Sequence, residues 1–105
     1  MNILFVCSRN EWRSPTAEAI YKNHELINAK SAGTSPSARI KISQKHINWA
    51  DIILVMEKKH RQIIAQKFGD SLDGHKIIVL NIPDEYQYMD EELIDELMTK
   101  VAPYL

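Results

Sequence analysis

Val6-Cys7-Ser8-Arg9-Asn10-Glu11-Trp12-Arg13-Ser14-Pro15 closes an apolar run and opens a helix. It reads as an anion-binding loop with a nucleophile inside. Residues Ile3 to Val6 are aliphatic or aromatic without alternation, the pattern of a strand buried on both faces of a parallel sheet. Such a strand delivers Cys7 at its carboxyl end, where open parallel sheets bind ligands, and the next helix turns its free N–H groups and positive dipole end toward the same crevice. The field that holds an anion there also favours the thiolate of Cys7 at neutral pH and makes it nucleophilic. Five residues separate Cys7 from Arg13. That length lets the loop curl with several amides facing inward, while a planar guanidinium grips two oxygens of a tetrahedral anion. Ser14 caps the helix or hydrogen-bonds the sulfur, Pro15 fits the first helical turn, and Asn10 tolerates a left-handed backbone. A buried, inert Cys7 beside a surface Arg13 explains neither the Asn nor the Ser-Pro.

The chain has 105 residues, which by length is one domain, residues 1–105. Its 13 basic and 14 acidic residues leave a formal net charge of −1, a balance that points to neither a nucleic-acid nor a membrane-surface partner. The single cysteine excludes an internal disulfide framework. Met1-Asn2-Ile3 opens a strand with no basic region and apolar segment of a signal peptide, so a cytoplasmic location is expected. No apolar stretch approaches the eighteen or so residues of a membrane helix.

Downstream of the loop, helical spacing of Ala17, Ile20 and Tyr21 predicts a helix from Pro15 to about His24, with Ala17 and Ile20 against the sheet. A short strand is expected over Ile27 to Ala32, a loop over Ser35 to Arg39, and a weak helix over Lys41 to Trp49. Asp51 to Met56 is a continuous buried strand, and Glu57 to Phe68 a helix whose run Lys58-Lys59-His60-Arg61 reads as a solvated face. Gly69, Asp73 and Gly74 mark a turn before a fourth strand, Lys76 to Ile82. Asp90 caps a last helix, with Leu93, Ile94, Leu97, Met98 and Val101 facing the core, and Pro103 ends it. Four strands alternating with helices give an α/β, doubly wound domain.

Phe5-Val6-Cys7, Asn10, Arg13-Ser14-Pro15 and Ala17-Glu18-Ala19 resemble the signature of the low-molecular-weight protein tyrosine phosphatases, and Ser31-Ala32-Gly33-Thr34 resembles their second block. The resemblance implies a three-layer fold, flavodoxin-like, with a four-stranded parallel sheet in order 2-1-3-4. It implies Cys7 as nucleophile, Ser8, Arg9, Asn10, Glu11, Trp12, Arg13 and Ser14 around the phosphate, and Asn10, Ser14 and Ser31 bracing the loop. Asp84-Glu85-Tyr86 is similar to the family's Asp-Pro-Tyr, so Asp84 is the expected general acid, with Asp90 as runner-up and helix capping the alternative role for Asp90. Glu11, Trp12, Tyr86 and Tyr88 are the expected cleft residues. The chemistry requires a proton donor for the leaving group and then a base for the attacking water, and one carboxyl group serves both. The resemblance implies no cofactor and no metal.

The chain also departs from that pattern. The longer segment that in relatives lies between the second block and an Ala-Arg pair, aligned here with Ala38-Arg39, is absent, so a more open cleft is expected. Pro36 stands where a loop-bracing histidine is expected, which implies a thinner bracing network. Trp12 replaces a second cysteine, so oxidised Cys7 has no protective disulfide partner. Glu11 brings a carboxylate that repels a phosphoryl dianion or attracts a cationic leaving group such as the guanidinium of phosphoarginine.

These residues imply a cysteine-dependent phosphomonoesterase acting on phosphotyrosine in a phosphorylated protein or on a small phosphomonoester, with inorganic phosphate or a similar oxyanion as product or inhibitor. The alternatives are a phosphoarginine phosphatase on the same fold, or a module that binds phosphate or another oxyanion with little turnover. Arsenate reduction needs two further cysteines, which this sequence does not contain.

Overall fold

The computed structural model describes residues 1–72 and 76–105. Its central strand, β1 (Asn2–Cys7), is paired on both sides: with β2 (Asn28–Gly33) in a register that sets Cys7 opposite Gly33, and with β3 (Ile52–Val55), setting Val6 opposite Val55. β4 (Lys76–Val79) pairs with the outer side of β3, and every pairing is parallel, giving the order β2-β1-β3-β4. Parallel neighbours require crossovers, and the helices that make them cover both faces.

The lack of alternation in β1 follows from that double cover. Ile3, Phe5 and Cys7 face one core, shared with Ala17 and Tyr21 of α1 (Arg13–Tyr21) and with Leu93, Leu97 and Val101 of α4 (Glu91–Val101). Leu4 and Val6 face the other, shared with Ile47 of α2 (Gln44–Trp49) and Ile64 of α3 (Lys58–Phe68). Each fully buried Ile, Leu or Phe contributes about 1.5–3 kcal/mol relative to exposure. Phe5 and Tyr21 stack with ring centroids 5.8 Å apart, pinning the C-terminal end of α1 to β1.

Several expected boundaries shift for identifiable reasons. α1 begins at Arg13, two residues before Pro15, and ends at Tyr21. α2 starts only after Ser43, whose backbone N–H donates to Nδ1 of His46 at 3.1 Å. The β4 ladder stops at Val79, short of Ile82, and Asn81 takes a left-handed φ of 58°. Met98, expected in the core stripe, is 56% exposed, while Leu93, Leu97 and Val101 are buried as expected. Asp90 caps α4, its carboxylate accepting from the Glu92 amide at 2.9 Å. Asp73 and Gly74 of the expected turn lie outside the described residues. Among the described residues no helix is long and apolar enough to cross a membrane.

Candidate active site

Between β1 and α1 the chain makes a tight loop whose first four carbonyls, from Cys7 to Asn10, are pulled outward. The Cys7 oxygen accepts from the Thr34 amide at 3.0 Å, Ser8 from the Ser35 amide at 2.8 Å, and Arg9 from the Arg39 amide at 3.0 Å. The Asn10 oxygen accepts from Nε of Arg39 at 3.0 Å. In a planar trans peptide the N–H points opposite to its C=O. Four consecutive carbonyls held by the outer segment therefore turn the intervening amides into the bend, a concave nest of the kind that suits an anion. Asn10 makes the bend possible with φ 56°. The first turn of α1 closes the nest from below, where its unpaired N–H groups add their partial positive charge.

Behind Cys7 runs a buried chain of hydrogen bonds. Nδ2 of Asn10 donates to Ser14 Oγ at 2.8 Å and to Ser31 Oγ at 2.9 Å. The Ser31 hydroxyl in turn donates a hydrogen bond to the Glu18 carboxylate. Both amide protons of Asn10 are thereby committed, and Ser14 Oγ, already an acceptor, has its own hydrogen left to donate. Cys7 Sγ lies 2.9 Å from it, nearer than the Ala32 carbonyl at 3.4 Å. Either the Cys7 thiol or the Ser14 hydroxyl can donate across that contact, which ties the cysteine into the buried network.

Arg13 is 2% exposed. One Nη1 hydrogen goes to the Glu57 carboxylate and the other to the Ile82 carbonyl at 2.9 Å. Two donors are thus spent on orientation, leaving the Nε and Nη2 side of the fork for a second pair of oxygens. Asp84 Oδ1 stands 3.8 Å from Nε. Burial alone would raise the Glu57 carboxyl, but its hydrogen bond to Arg13, the charge of Arg13 and that of Lys59 outweigh burial and hold it below the ordinary carboxylate range.

Cys7, Ser8, Arg9, Glu11, Trp12, Arg13 and Asp84 line one pocket of about 160 Å³. Asn10, Ser14 and Ser31 lie behind the loop as its support. Tyr86 turns away: its hydroxyl donates to Glu96 Oε2 at 3.1 Å, and that bond raises its pKa above the ordinary phenol value. Tyr88 is exposed and lines a neighbouring groove with Glu11, Pro15, Glu18, Lys22 and Arg39. Among the described residues no three His, Cys, Asp or Glu side chains converge as a metal site.

Two contributors escaped the sequence reading. Glu57 looked like a helix start and His60 like part of a solvated run, yet His60 is fully buried while Lys58, Lys59 and Arg61 are exposed. Its Nε2 lies 2.8 Å from Ser8 Oγ, and its Nδ1 accepts the Glu57 amide at 3.0 Å. The loop is therefore braced by a histidine after all, from α3 instead of from the position of Pro36, and Arg39 adds a further brace through Asn10. A signal was present: His60 and Ile64 share a helix face by i,i+4 spacing, so an inward Ile64 brings His60 inward with it.

Residues 2–42 match the family described as low molecular weight phosphotyrosine protein phosphatase. The protein-arginine-phosphatase of Bacillus subtilis is 34% identical over 66% of this chain and 64% of its own length. The low molecular weight protein-tyrosine-phosphatase PtpB of Staphylococcus aureus is 32% identical over 66% of each. The chain thus spans just under two thirds of the length of these relatives. The tyrosine phosphatase Wzb from Escherichia coli K30, solved in complex with phosphate, superposes with a TM-score of 0.77 over 98% of this chain and 94% of that one, at 21% identity, a likeness of fold.

Proposed function

The chain belongs to the low molecular weight phosphotyrosine protein phosphatase family, and from that premise we propose that residues 1–105 act as one phosphatase-like domain that removes phosphate from phosphorylated protein side chains through a phosphocysteine on Cys7. The observation that carries this reading is the convergence of Cys7, Arg13 and Asp84 on one pocket. The thiolate of Cys7 attacks phosphorus, the loop amides and the free edge of Arg13 hold the non-bridging oxygens, and the P–O bond to the leaving group breaks as Asp84 gives that oxygen its proton. Water then attacks the phosphocysteine, its proton goes to the Asp84 carboxylate, the P–S bond breaks and inorganic phosphate leaves. The Wzb structure, which shares this fold, was solved in complex with phosphate. No cofactor enters this scheme. A free thiolate nucleophile suits a reducing compartment such as the cytoplasm.

The leaving group proposed first is tyrosine: Trp12, 41% exposed on the pocket lining, offers an aromatic face to a phenyl ring. A second reading, phosphoarginine, is favoured by Glu11, whose carboxylate lines the same pocket and suits a guanidinium leaving group. The name of the Bacillus subtilis relative points the same way.

The test is turnover of an activated aryl phosphate by the wild type and by Cys7→Ser. Activity lost in the variant supports the enzyme. Tight phosphate binding with no turnover in either protein replaces it with an oxyanion-binding module. Rates on phosphotyrosine and phosphoarginine peptides, compared side by side, then choose the leaving group.

A further inference from the structure

We infer that the side-chain hydroxyl of Ser8, aimed by His60, is a direct hydrogen-bond donor to the bound oxyanion, so that the pocket uses a hydroxyl in addition to the loop amides and Arg13. The inference rests on the oxyanion reading of this loop and adds to it a ligand and the residue that positions that ligand.

The direction of each proton follows from its neighbours. The backbone N–H of Glu57 donates to His60 Nδ1 at 3.0 Å, so Nδ1 carries a lone pair and the ring proton is on Nε2. Nε2 faces Ser8 Oγ at 2.8 Å, and in this tautomer the histidine is the donor and the serine the acceptor. The hydroxyl hydrogen of Ser8 is then free to be given elsewhere. Among the described residues Ser8 Oγ has no second protein partner, and Ser8 lines the pocket beside Cys7 and Arg13. A half-buried hydroxyl that already accepts its one protein hydrogen bond, on a residue that lines the pocket, has a proton left to give a tetrahedral anion. Burial, followed by the nearby charge of Arg13, keeps His60 neutral by lowering its pKa to about 4, which preserves the tautomer across the physiological range.

His60 does two jobs with two nitrogens, and two substitutions separate them. His60→Gln keeps a donor near the Nε2 position for Ser8 and gives up the acceptor for the Glu57 amide. His60→Asn keeps an acceptor near Nδ1 and gives up the contact with Ser8. Calorimetric titration with inorganic phosphate, with thermal melts of every variant, reads the outcome. Ser8→Ala is expected to weaken phosphate binding about tenfold or more, the scale of one hydrogen bond to a charged group. His60→Asn is expected to weaken it by a similar factor with its melt close to wild type, and His60→Gln to bind phosphate near wild type even where its melt drops. The double variant Ser8→Ala/His60→Asn is expected to be no weaker than Ser8→Ala alone, since both remove the same contact.

Wild-type phosphate affinity in Ser8→Ala overturns the proposal, and that variant decides even where the histidine variants fail to fold. Equal loss of affinity in His60→Gln and His60→Asn, both folded, also overturns it and leaves His60 a purely structural residue. Phosphate binding is independent of turnover. A protein that leaves aryl phosphates intact but loses phosphate affinity on Ser8→Ala removes the phosphatase reading and keeps this one. A protein that turns them over with unchanged affinity in the variant removes this one alone.

Discussion

Gly33 and Ser8 are in contact through backbone alone: a Cβ added at Gly33 would stand 2.6 Å from the Ser8 carbonyl oxygen and 2.6 Å from the Cβ of Ala38. Neither neighbour has a flexible side-chain end to move, and the Ser8 oxygen is fixed by the Ser35 amide. Gly33→Ala therefore has to push the loop inward or segment 34–39 outward. We expect a loss of about 1–3 kcal/mol of stability, the scale of overpacking, together with weaker phosphate binding. Chemical denaturation and phosphate titration measure both. An alanine variant with wild-type values of each would show that the contact relaxes without cost.

Cys7→Ser should abolish turnover and leave the melt near wild type, because a neutral hydroxyl keeps the Ser14 partner but is a poor nucleophile without an adjacent base. Arg13→Lys should also fail, by about 10²-fold or more in kcat. A single ammonium cannot hold Glu57, the Ile82 carbonyl and two oxygens of an anion together. Near-wild-type kcat in either variant places the chemistry elsewhere.

Asp84→Asn should slow esters with poor leaving groups by about 10²- to 10⁴-fold, the usual range for a general acid, and spare nitrophenyl esters, whose anion departs without full protonation. Asp90→Asn should cost only stability, about 1 kcal/mol or less, since it weakens the single bond to the Glu92 amide. A leaving-group-dependent defect in Asp90→Asn with a normal Asp84→Asn would exchange the two roles.

Stability should fall in acid, and His60 sets the window. Its pKa is lowered by burial and by Arg13 from 6.5 to about 4, so the unfolded chain takes up this proton near pH 6.5 and the folded protein only near 4. The contribution of neutral His60 is complete above about 6.5 and is lost at up to about 1.4 kcal/mol per pH unit on the way down. Glu57, also held low by Arg13 against the opposing effect of burial, acts in the same sense at lower pH, remaining charged in the folded protein while the unfolded carboxyl protonates. Melting temperature against pH measures this, and His60→Gln should flatten the limb between about 6.5 and 4. An unchanged slope in that variant assigns the acid limb to other groups.

Geometry carried within a short stretch of chain was legible before the structure. Cys7, Asn10, Arg13 and Ser14 sit in one strand-loop-helix unit, so residue type and spacing were enough to expect them together. The sheet order followed from resemblance, while the lack of alternation in Ile3 to Val6 already called for cover on both faces. Glu57 and His60 were not legible as loop partners because their meeting with Arg13 and Ser8 depends on how α3 packs, and the surrounding lysines hid the inward face. Tyr86 shows the opposite failure. Its place beside Asp84 suggested a cleft wall, but Glu96 on α4 offers its hydroxyl a partner on the other side. A loop residue follows the partner it finds, and local sequence does not name that partner.

The two bonds that aim Arg13 reach 44 and 69 residues along the chain, to Glu57 and to the Ile82 carbonyl. The loop sequence is made early in synthesis, but its arginine has nothing to hold it until β3, the start of α3 and the segment after β4 have come together. Non-local closures of this kind are slow compared with local helix formation. During refolding, helical signal should therefore recover ahead of phosphate affinity, and a nascent chain that has emerged only as far as β2 would carry Cys7 with no oriented cation beside it.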